Sequence, residues 1–364
     1  MEKKEMAKLR HLFLRIIFSV FLALLLAALL YVAYVFIDYY RVDDNIELEV
    51  LNPVEGSVSA GDRYRIVSWN IGFGAYVRDF GFFMDGGDES WARSKGILLD
   101  TMDSINAKLS ELDGDFYLVQ EVDKKATRTY HVDETALVAG NLPTFSYVFA
   151  QNWDSPFLFY PFTEPHGASL AGIMTFSSKG ISGAVRRSVP VEEGIMKIID
   201  MDRCYSTTRV PGPDGHELVL INFHLSAYTS DGKIAFDQLK LVLNDMQTEY
   251  LNGNWVIAGG DFNKDLIGTG SKAFGIEGAE YNWAQPIPAE VFQGYDVTLV
   301  APYDPENPVA SCRNADSAYW EGQYQVTVDG FMVTSNVEVC GAEVADTGFA
   351  WSDHNPVFME FILR

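Results

Sequence analysis

Cysteine is scarce in this chain of 364 residues: Cys204, Cys312 and Cys340 are the only three. That is too few for a disulfide framework, and none sits in a C-x-x-C or in a Cys/His cluster with zinc spacing. One bridge is the most they could form, and three free, buried thiols is the expectation. Basic residues are also in short supply, with 27 Lys and Arg against 50 Asp and Glu for a net charge of -23. The deficit is uneven, because Lys3, Lys4, Lys8, Arg10 and Arg15 outweigh Glu2 and Glu5 by three charges and leave -26 on everything after residue 15. Long nucleic acid is gripped mainly by Lys and Arg neutralising phosphates, so a body this acidic is poorly suited to that task and no stable nucleic-acid complex is expected. Heptads, repeats and low-complexity runs are absent too. What remains is ordinary globular composition, 48% hydrophobic and 21% charged, long enough for one large domain or two small ones.

One long apolar run is present. Residues 16–37, "IIFSVFLALLLAALLYVAYVFI", carry no formal charge and as a helix would span roughly 33 Å at about 1.5 Å per residue, the thickness of a bilayer's hydrocarbon core. A cleaved signal peptide would be shorter and end in a small-x-small exit, whereas this run ends in Tyr34, Val35, Phe36 and Ile37. It reads as a retained single-pass anchor. Basic residues precede it and Asp38, Asp43, Asp44, Glu47 and Glu49 follow it, so the positive-inside bias leaves the N-terminus in the cytoplasm and exports the rest. The expected organisation is a basic cytoplasmic tail over 1–15, an anchor in the cell membrane over 16–37, a polar linker over 38–63 and an extracytoplasmic domain over 64–364.

Within that domain, "YRIVSWN" (64–70), "FYLVQEV" (116–122), "GIMTFSS" (172–178), "ELVLINFHL" (217–225), "NWVIAGGDFN" (254–263) and "QVTVDGFMVT" (325–334) are short, rich in Val, Ile and aromatics, and read as strands. Leu98, Met102, Ile105, Leu109 and Leu112 recur at helical spacing, as do Leu239, Val242, Met246 and Tyr250, so two amphipathic helices should cover a sheet. Strands mixed with covering helices give an α/β or α+β layered sandwich. Several apolar runs end in a chemically useful residue: Asn70, Glu121, His224, and Asp261 with Asn263. Each alone has an ordinary structural reading as a cap, a surface acid or a core histidine. Their repetition at strand ends points to one site at one edge of the sandwich.

Carboxylates and amide oxygens are hard ligands that suit Mg²⁺ or Mn²⁺, and histidines among them point to phosphoester hydrolysis more than to a closed zinc site. Near the C-terminus "AWSDHNPVFMEF" (350–361) places Asp353 beside His354. Strand geometry would turn these neighbours to opposite sides, so a different acid must orient His354. Asp329, in the apolar "VTVDGFMVT", is the candidate, because a carboxylate buried there is costly unless paired.

Six segments, "SWNI" (68–71), "LVQEVD" (118–123), "INFHLSA" (221–227), "GGDFN" (259–263), "VDGFMV" (328–333) and "SDHNPV" (352–357), resemble in the same order the motifs of the endonuclease/exonuclease/phosphatase superfamily. That group includes deoxyribonuclease I, apurinic endonucleases, neutral sphingomyelinases and inositol polyphosphate 5-phosphatases. The resemblance implies a four-layer αββα sandwich of two mainly antiparallel sheets and a divalent-metal-dependent phosphoesterase using one or two Mg²⁺ or Mn²⁺ ions. It implies Glu121 as the main metal ligand with Asn70, Asp353 on the metal side, His224 against the scissile phosphate, and Asp261 activating water or protonating the leaving oxygen. Asn263 would orient nucleophile and phosphate, Asp329 would orient His354, and His354 would act as general base or phosphate-stabilising imidazole. All of these positions are filled, which argues against a non-catalytic binding module on the same fold.

Substrate choice lies in loops rather than in the fold. Residues 74–96, 152–167 and 267–286 are aromatic and glycine-rich with little basic charge. Phe80, Phe82, Phe83, Trp153, Phe157, Phe159, Tyr160 and Phe162 could line a pocket, rest on a membrane or simply pack the loops. A lipid head group or small phosphodiester is favoured over nucleic acid, with a deoxyribonuclease I-like endonuclease as the alternative. His166, Arg203 and Arg209 are candidate phosphate neighbours, while Arg93 is read as starting the first helix.

Overall fold

The computed structural model describes residues 2–191, 194, 197, 200–227, 233–277 and 283–364. They form two compact units, residues 1–40 and 41–364. The first unit is the helix α1 (Glu2–Asp38), whose apolar window has a mean hydropathy of 2.8 and is long enough to cross a membrane. The basic residues ahead of the uncharged run continue the same helix.

The second unit contains, in chain order, β1 (Ile46–Glu47), β2 (Arg63–Asn70), α2 (Lys95–Leu112), β3 (Phe116–Ala126), α3 (Glu134–Asn141), β4 (Ser146–Leu158), β5 (Gly167–Ser177), β6 (Gly183–Ser188), β7 (Cys204–Pro211), β8 (Glu217–His224), α4 (Lys233–Leu251), β9 (Trp255–Asp261), β10 (Val297–Val300), β11 (Cys312–Arg313), β12 (Gln325–Val326), β13 (Asp329–Thr334), β14 (Val337–Val344) and β15 (Val357–Leu363). One sheet has the order β14-β15-β2-β3-β5-β4 and the other β1-β6-β7-β8-β9-β13-β10. β11 and β12 pair separately. Neighbours are antiparallel except β2 with β3 and β8 with β9, which α2 and α4 connect as βαβ crossovers.

Alternation along the strands decides the layers. Ile66, Phe116 and Leu118 from one sheet meet Leu218, Leu220, Ile257 and Phe331 from the other. The opposite faces take the helices: Val67, Trp69 and Val119 pack on Leu98, Met102, Ile105 and Leu109 of α2, and Val219, Ile221 and Val256 pack on Leu239, Val242 and Met246 of α4. This is the expected αββα sandwich. A buried amide network crosses between the sheets: Gln120 Nε2 donates to Ser68 Oγ (3.2 Å) and Asn222 Oδ1 (2.7 Å), and Asn222 Nδ2 donates to Met174 O (2.8 Å). Such bonds pin the register of one sheet on the other where apolar contact alone would let it slide.

The stretch expected as a linker departs from that expectation, because residues 41–63 belong to the folded unit. Arg41 pairs with Asp202 at 3.1 Å, Ile46 and Glu47 form β1 against β6, Leu51 bridges to Tyr147, and Val58 is 1% exposed in the inter-sheet core. Scattered Pro, Gly and Ser hid apolar residues that each find a separate socket. Two further differences are local. The "QVTVDGFMVT" segment splits into β12 and β13, and all three cysteines are free, with Cys340 exposed rather than buried.

Candidate active site

A parallel pair ends both its strands on one side of a sheet. Asn70 therefore emerges beside Gln120, and His224 lies in register with Asp261. β13 runs antiparallel to β9 and begins in register with it, so Asp329 stands opposite Asp261 at the same edge. Gly260, with φ of +142°, lets β9 approach β8 there; a Cβ would fall 2.0 Å from Phe223 O.

Glu121 reaches the edge through a β-bulge. The pairing of β3 with β5 slips between Val119 and Val122, and Glu121 adopts φ of +54°, a region non-glycine residues seldom occupy. Asn70 Nδ2 donates to Glu121 Oε1 and to Asp261 Oδ2, both at 3.1 Å, and its Oδ1 accepts from the Gly72 N–H at 3.0 Å. One amide thus ties acids from the two sheets together. Asn263, also at positive φ (+50°), donates its N–H to Asp261 Oδ1 and its Nδ2 to Leu225 O, each at 2.8 Å.

The histidines close on the same acid. His224 Nε2 lies 3.5 Å from Asp261 Oδ2 and its Nδ1 3.9 Å from Glu121 Oε1. His354 Nε2 lies 3.8 Å from Asp261 Oδ2, and its Nδ1 lies 2.8 Å from Asp329 Oδ2, which also accepts from Ser311 Oγ at 2.7 Å. Asp329 is fully buried. Asp353 and His354 are not on a strand, since β15 begins only at Val357. Their bend is held by Ser352 Oγ donating to Asn70 O (2.8 Å), the His354 N–H donating to Ser352 Oγ (3.1 Å), and Trp69 Nε1 donating to His354 O (2.9 Å). Both side chains accordingly line one cleft of about 870 Å³, and strand alternation does not govern them.

Crowding of acids sets the electrostatics. Burial, then the charge of Asp353, pushes the Glu121 carboxyl above its ordinary range. Burial, then Asp353 and Glu121, pushes Asp85 up to about 7. Burial likewise raises Asp261, tempered by the charge on His354. His224 is driven well below the usual imidazole range by burial and then by Arg203 and His354, so it is neutral. For His354 burial opposes charge, yet Asp329, Cys312 and Asp353 outweigh it and hold the imidazole well above its usual range. The corner containing Glu121, Asp85 and Asp353 offers hard oxygen donors whose mutual repulsion a divalent cation would relieve, so the residues fit Mg²⁺ or Mn²⁺. Ligand-type atoms of Cys312, Asp353 and His354, and of Asp261, Asp329 and His354, also lie within 4.8 Å of one another. In the second group the short His354–Asp329 contact already explains the closeness.

Two expected residues stay out of the cluster. Arg209 Nη1 donates to Glu217 Oε2 at 2.9 Å and its guanidinium also pairs with Glu249, in register with Val219, five residues before the strand end. His166 is 1% exposed behind Phe82, Phe83 and Trp153, with ring centroids 5.4–6.0 Å away. Burial, then Arg128, pushes it down to about 3, so it carries no charge for a phosphate. Arg203 does line the cleft, while donating to Leu225 O at 2.8 Å. Arg93 precedes the cap residue Ser94 of α2 and is occupied by Asp79 and Glu89. Phe80 is core, Phe82 and Trp153 face the cleft, and Phe159, Tyr160 and Phe162 are exposed. Residues 278–282 of the third loop lie outside the described residues.

The sequence reading missed Asp85, Arg128 and Asn152, all of which line the cleft. Arg128 is 5% exposed, binds Asp123 through Nε (3.0 Å) and Nη2 (2.9 Å), and stacks 3.5 Å over the Phe73 ring. The signal for it was Asp123 itself, an acid in an apolar strand that needed a cation. Asp85 and Asn152 had no comparable signal.

No protein-family model matches the chain, and no curated protein does. Solved structures do. An endonuclease/exonuclease/phosphatase protein from Beutenbergia cavernae DSM 12333 superposes with a TM-score of 0.55 at 17% identity, over 83% of this chain and 72% of that one. ANGEL2, a 2′,3′-cyclic phosphatase, gives 0.54 at 14% identity over 88% and 99%. The human Nocturnin catalytic domain, solved with bound sulfate, gives 0.52 at 13% identity over 87% and 98%. The αββα unit of this chain therefore has the endonuclease/exonuclease/phosphatase fold.

Proposed function

We propose that this chain is a divalent-cation-dependent hydrolase of phosphoester bonds, working on the outer side of the membrane that α1 spans. The observation that carries the reading is the convergence on Asp261: His224 and His354 lie within 3.8 Å of it, and Asn70 links it to Glu121. Asn70, His224 and Asp261 come from strand ends in both sheets, Glu121 from the bulge in β3 and His354 from the bend ahead of β15, and they have no shared packing purpose. A cation held by Glu121 and Asp353 with Asn70 beside them would withdraw charge from a phosphoryl oxygen. His354, locked by Asp329, presents Nε2 to the cleft as a proton-bearing group for charge developing on the phosphoryl oxygens. Asp261, with its raised proton affinity, takes a proton from the attacking water or returns one to the leaving oxygen. Neutral His224 and the Asn263 amide orient what lies between them.

The test is the full chain in detergent, with and without Mg²⁺, against bis(p-nitrophenyl) phosphate, plasmid DNA, sphingomyelin micelles and an inositol phosphate. Cation-dependent turnover of at least one is expected, with His354→Ala and Asp261→Asn folded and slower by about 10²–10⁴-fold. Retention of most of the rate by His354→Ala would refute the assignment. Plasmid nicking would favour the endonuclease alternative, while the -26 carried beyond residue 15 favours a lipid head group or small phosphodiester.

A further inference from the structure

A second β-bulge lies next to the one that exposes Glu121. β5 is flanked by β3 and β4, and the β4–β5 pairing slips between Gln151 and Trp153, making Asn152 the extra residue. Gly172 faces both slips: it pairs with Val122 on one side and Gln151 on the other. A Cβ at Gly172 would come 2.4 Å from Ala150 O, so the paired distortions depend on a glycine there. Bulges turn a side chain out of the regular alternation, and this one brings Asn152 to the cleft that Arg128 also lines, with the guanidinium 4.9 Å from the ring of the adjoining Trp153.

Asn152 is 1% exposed, yet neither Oδ1 nor Nδ2 has a hydrogen-bond partner among the described residues. Leaving a buried amide unmatched on both its donor and its acceptor is costly, and β-sheet packing offers no return for it. Arg128 spends Nε and Nη2 on Asp123, and among the described residues Nη1 has no acceptor. This lobe carries no surplus of positive charge, because the guanidinium is matched by Asp123 and neighbouring Glu121 is acidic as well. A second phosphate finds no surplus cation here. One face of Phe73 is covered by the guanidinium at 3.5 Å, so a flat base cannot stack there. What fits is a neutral group that both donates and accepts.

We propose that Asn152 and Arg128 form a recognition subsite for a hydroxyl-bearing ring, a sugar or polyol, carried by the phosphoester substrate. This rests on the phosphoesterase reading, with Glu121 marking where the scissile phosphate sits relative to the subsite. Asn152 supplies a donor and an acceptor to adjacent hydroxyls, and Arg128 Nη1 supplies a further donor.

The test uses two p-nitrophenyl phosphodiesters that share a leaving group and differ only in hydroxyls, the myo-inosityl and the cyclohexyl ester. Both are assayed with the full-length protein in detergent and Mg²⁺. The wild type is expected to prefer the inosityl ester by at least about tenfold in kcat/KM, since a site built for hydroxyls discriminates strongly against an analogue that lacks them. Asn152→Leu, similar in size and unable to hydrogen-bond, should remove most of that preference while changing cyclohexyl turnover less than about threefold. Asn152→Ala is the second variant if the leucine form fails to fold, with the same loss expected. Equal use of both esters by the wild type, or a parallel loss on both in the variants, would overturn the subsite. Absence of cation-dependent turnover of either ester and of bis(p-nitrophenyl) phosphate would instead overturn the phosphoesterase reading, and the subsite with it.

Discussion

Asp329 holds His354 in place: it is fully buried, faces Nδ1 at 2.8 Å and takes a further bond from Ser311. Replacing it by Asn keeps the shape but presents an amide where the imidazole N–H needs an acceptor. Asp329→Asn is expected to leave KM nearly unchanged and lower kcat by about 10²–10⁴-fold, read by steady-state kinetics at saturating Mg²⁺. His166 makes a different demand. Its folded-state pKa of about 3 lies below the unfolded value of about 6.5, so the unfolded chain binds the extra proton between those limits. Its contribution to stability is complete above about pH 6.5 and is lost as pH falls toward 3, by on the order of a few kcal/mol. His166→Phe should flatten that fall, measured as urea midpoints across pH 3–7.

At the scale of elements, the site is made by irregularities placed where regular strands end. Glu121 and Asn152 are turned out by slips on either side of β5, and Gly260 lets β9 lie against Phe223. Gly172→Ala and Gly260→Ala would each drive a Cβ into a backbone carbonyl oxygen, Ala150 O at 2.4 Å and Phe223 O at 2.0 Å. Each should cost about 2–4 kcal/mol by thermal or chemical unfolding. Gly341, in β14, meets nothing within 4 Å, and its alanine variant should stay within about 0.5 kcal/mol of wild type. Equal effects at the three glycines would mean that the close approaches at Gly172 and Gly260 do not constrain the sheets.

At the scale of the whole molecule, the folded unit begins at Arg41 and not at the first long strand. A chain shortened to start at Arg41 should be water-soluble and as stable as the full protein's folded unit. One starting at Tyr64 loses β1 and the core residue Val58, and its melting temperature should drop by about 4 °C or more, since each lost kcal/mol shifts Tm by about 2–4 °C in a chain of this size. The full chain should partition with membranes and resist alkaline extraction, and protease added outside intact cells should reach residues 41–364 if the basic N-terminus stays in the cytoplasm.

Local pattern made much of this legible in advance. Helical spacing from Leu98 to Leu112 and from Leu239 to Tyr250, and the apolar runs ending at Asn70, Glu121, His224 and Asp261, follow from burial periods of 3.6 and 2 and need no tertiary knowledge. So does the uncharged run that forms α1. The partnership of Asp329 with His354 could be inferred because a lone buried carboxylate is costly. Other features depended on long-range packing. Arg209 and His166 looked available for phosphate until distant acids claimed the one and aromatic rings enclosed the other. Asn152, Asp85 and Arg128 reach the cleft only because loops and bulges bring them there. Residues 41–63 fold because sockets on strands far along the chain receive them. Sequence alone determined the strands that carry most of the site, β2, β3, β5, β8, β9 and β13, the covering helices α2 and α4 and a membrane-length helix, since those are set by neighbours two to four positions apart, whereas β4, which takes in residues 152–158 of a stretch read as a loop, was not legible. Tertiary structure alone decided which polar side chains share one cleft, since that is set by register, bulges and burial across hundreds of residues.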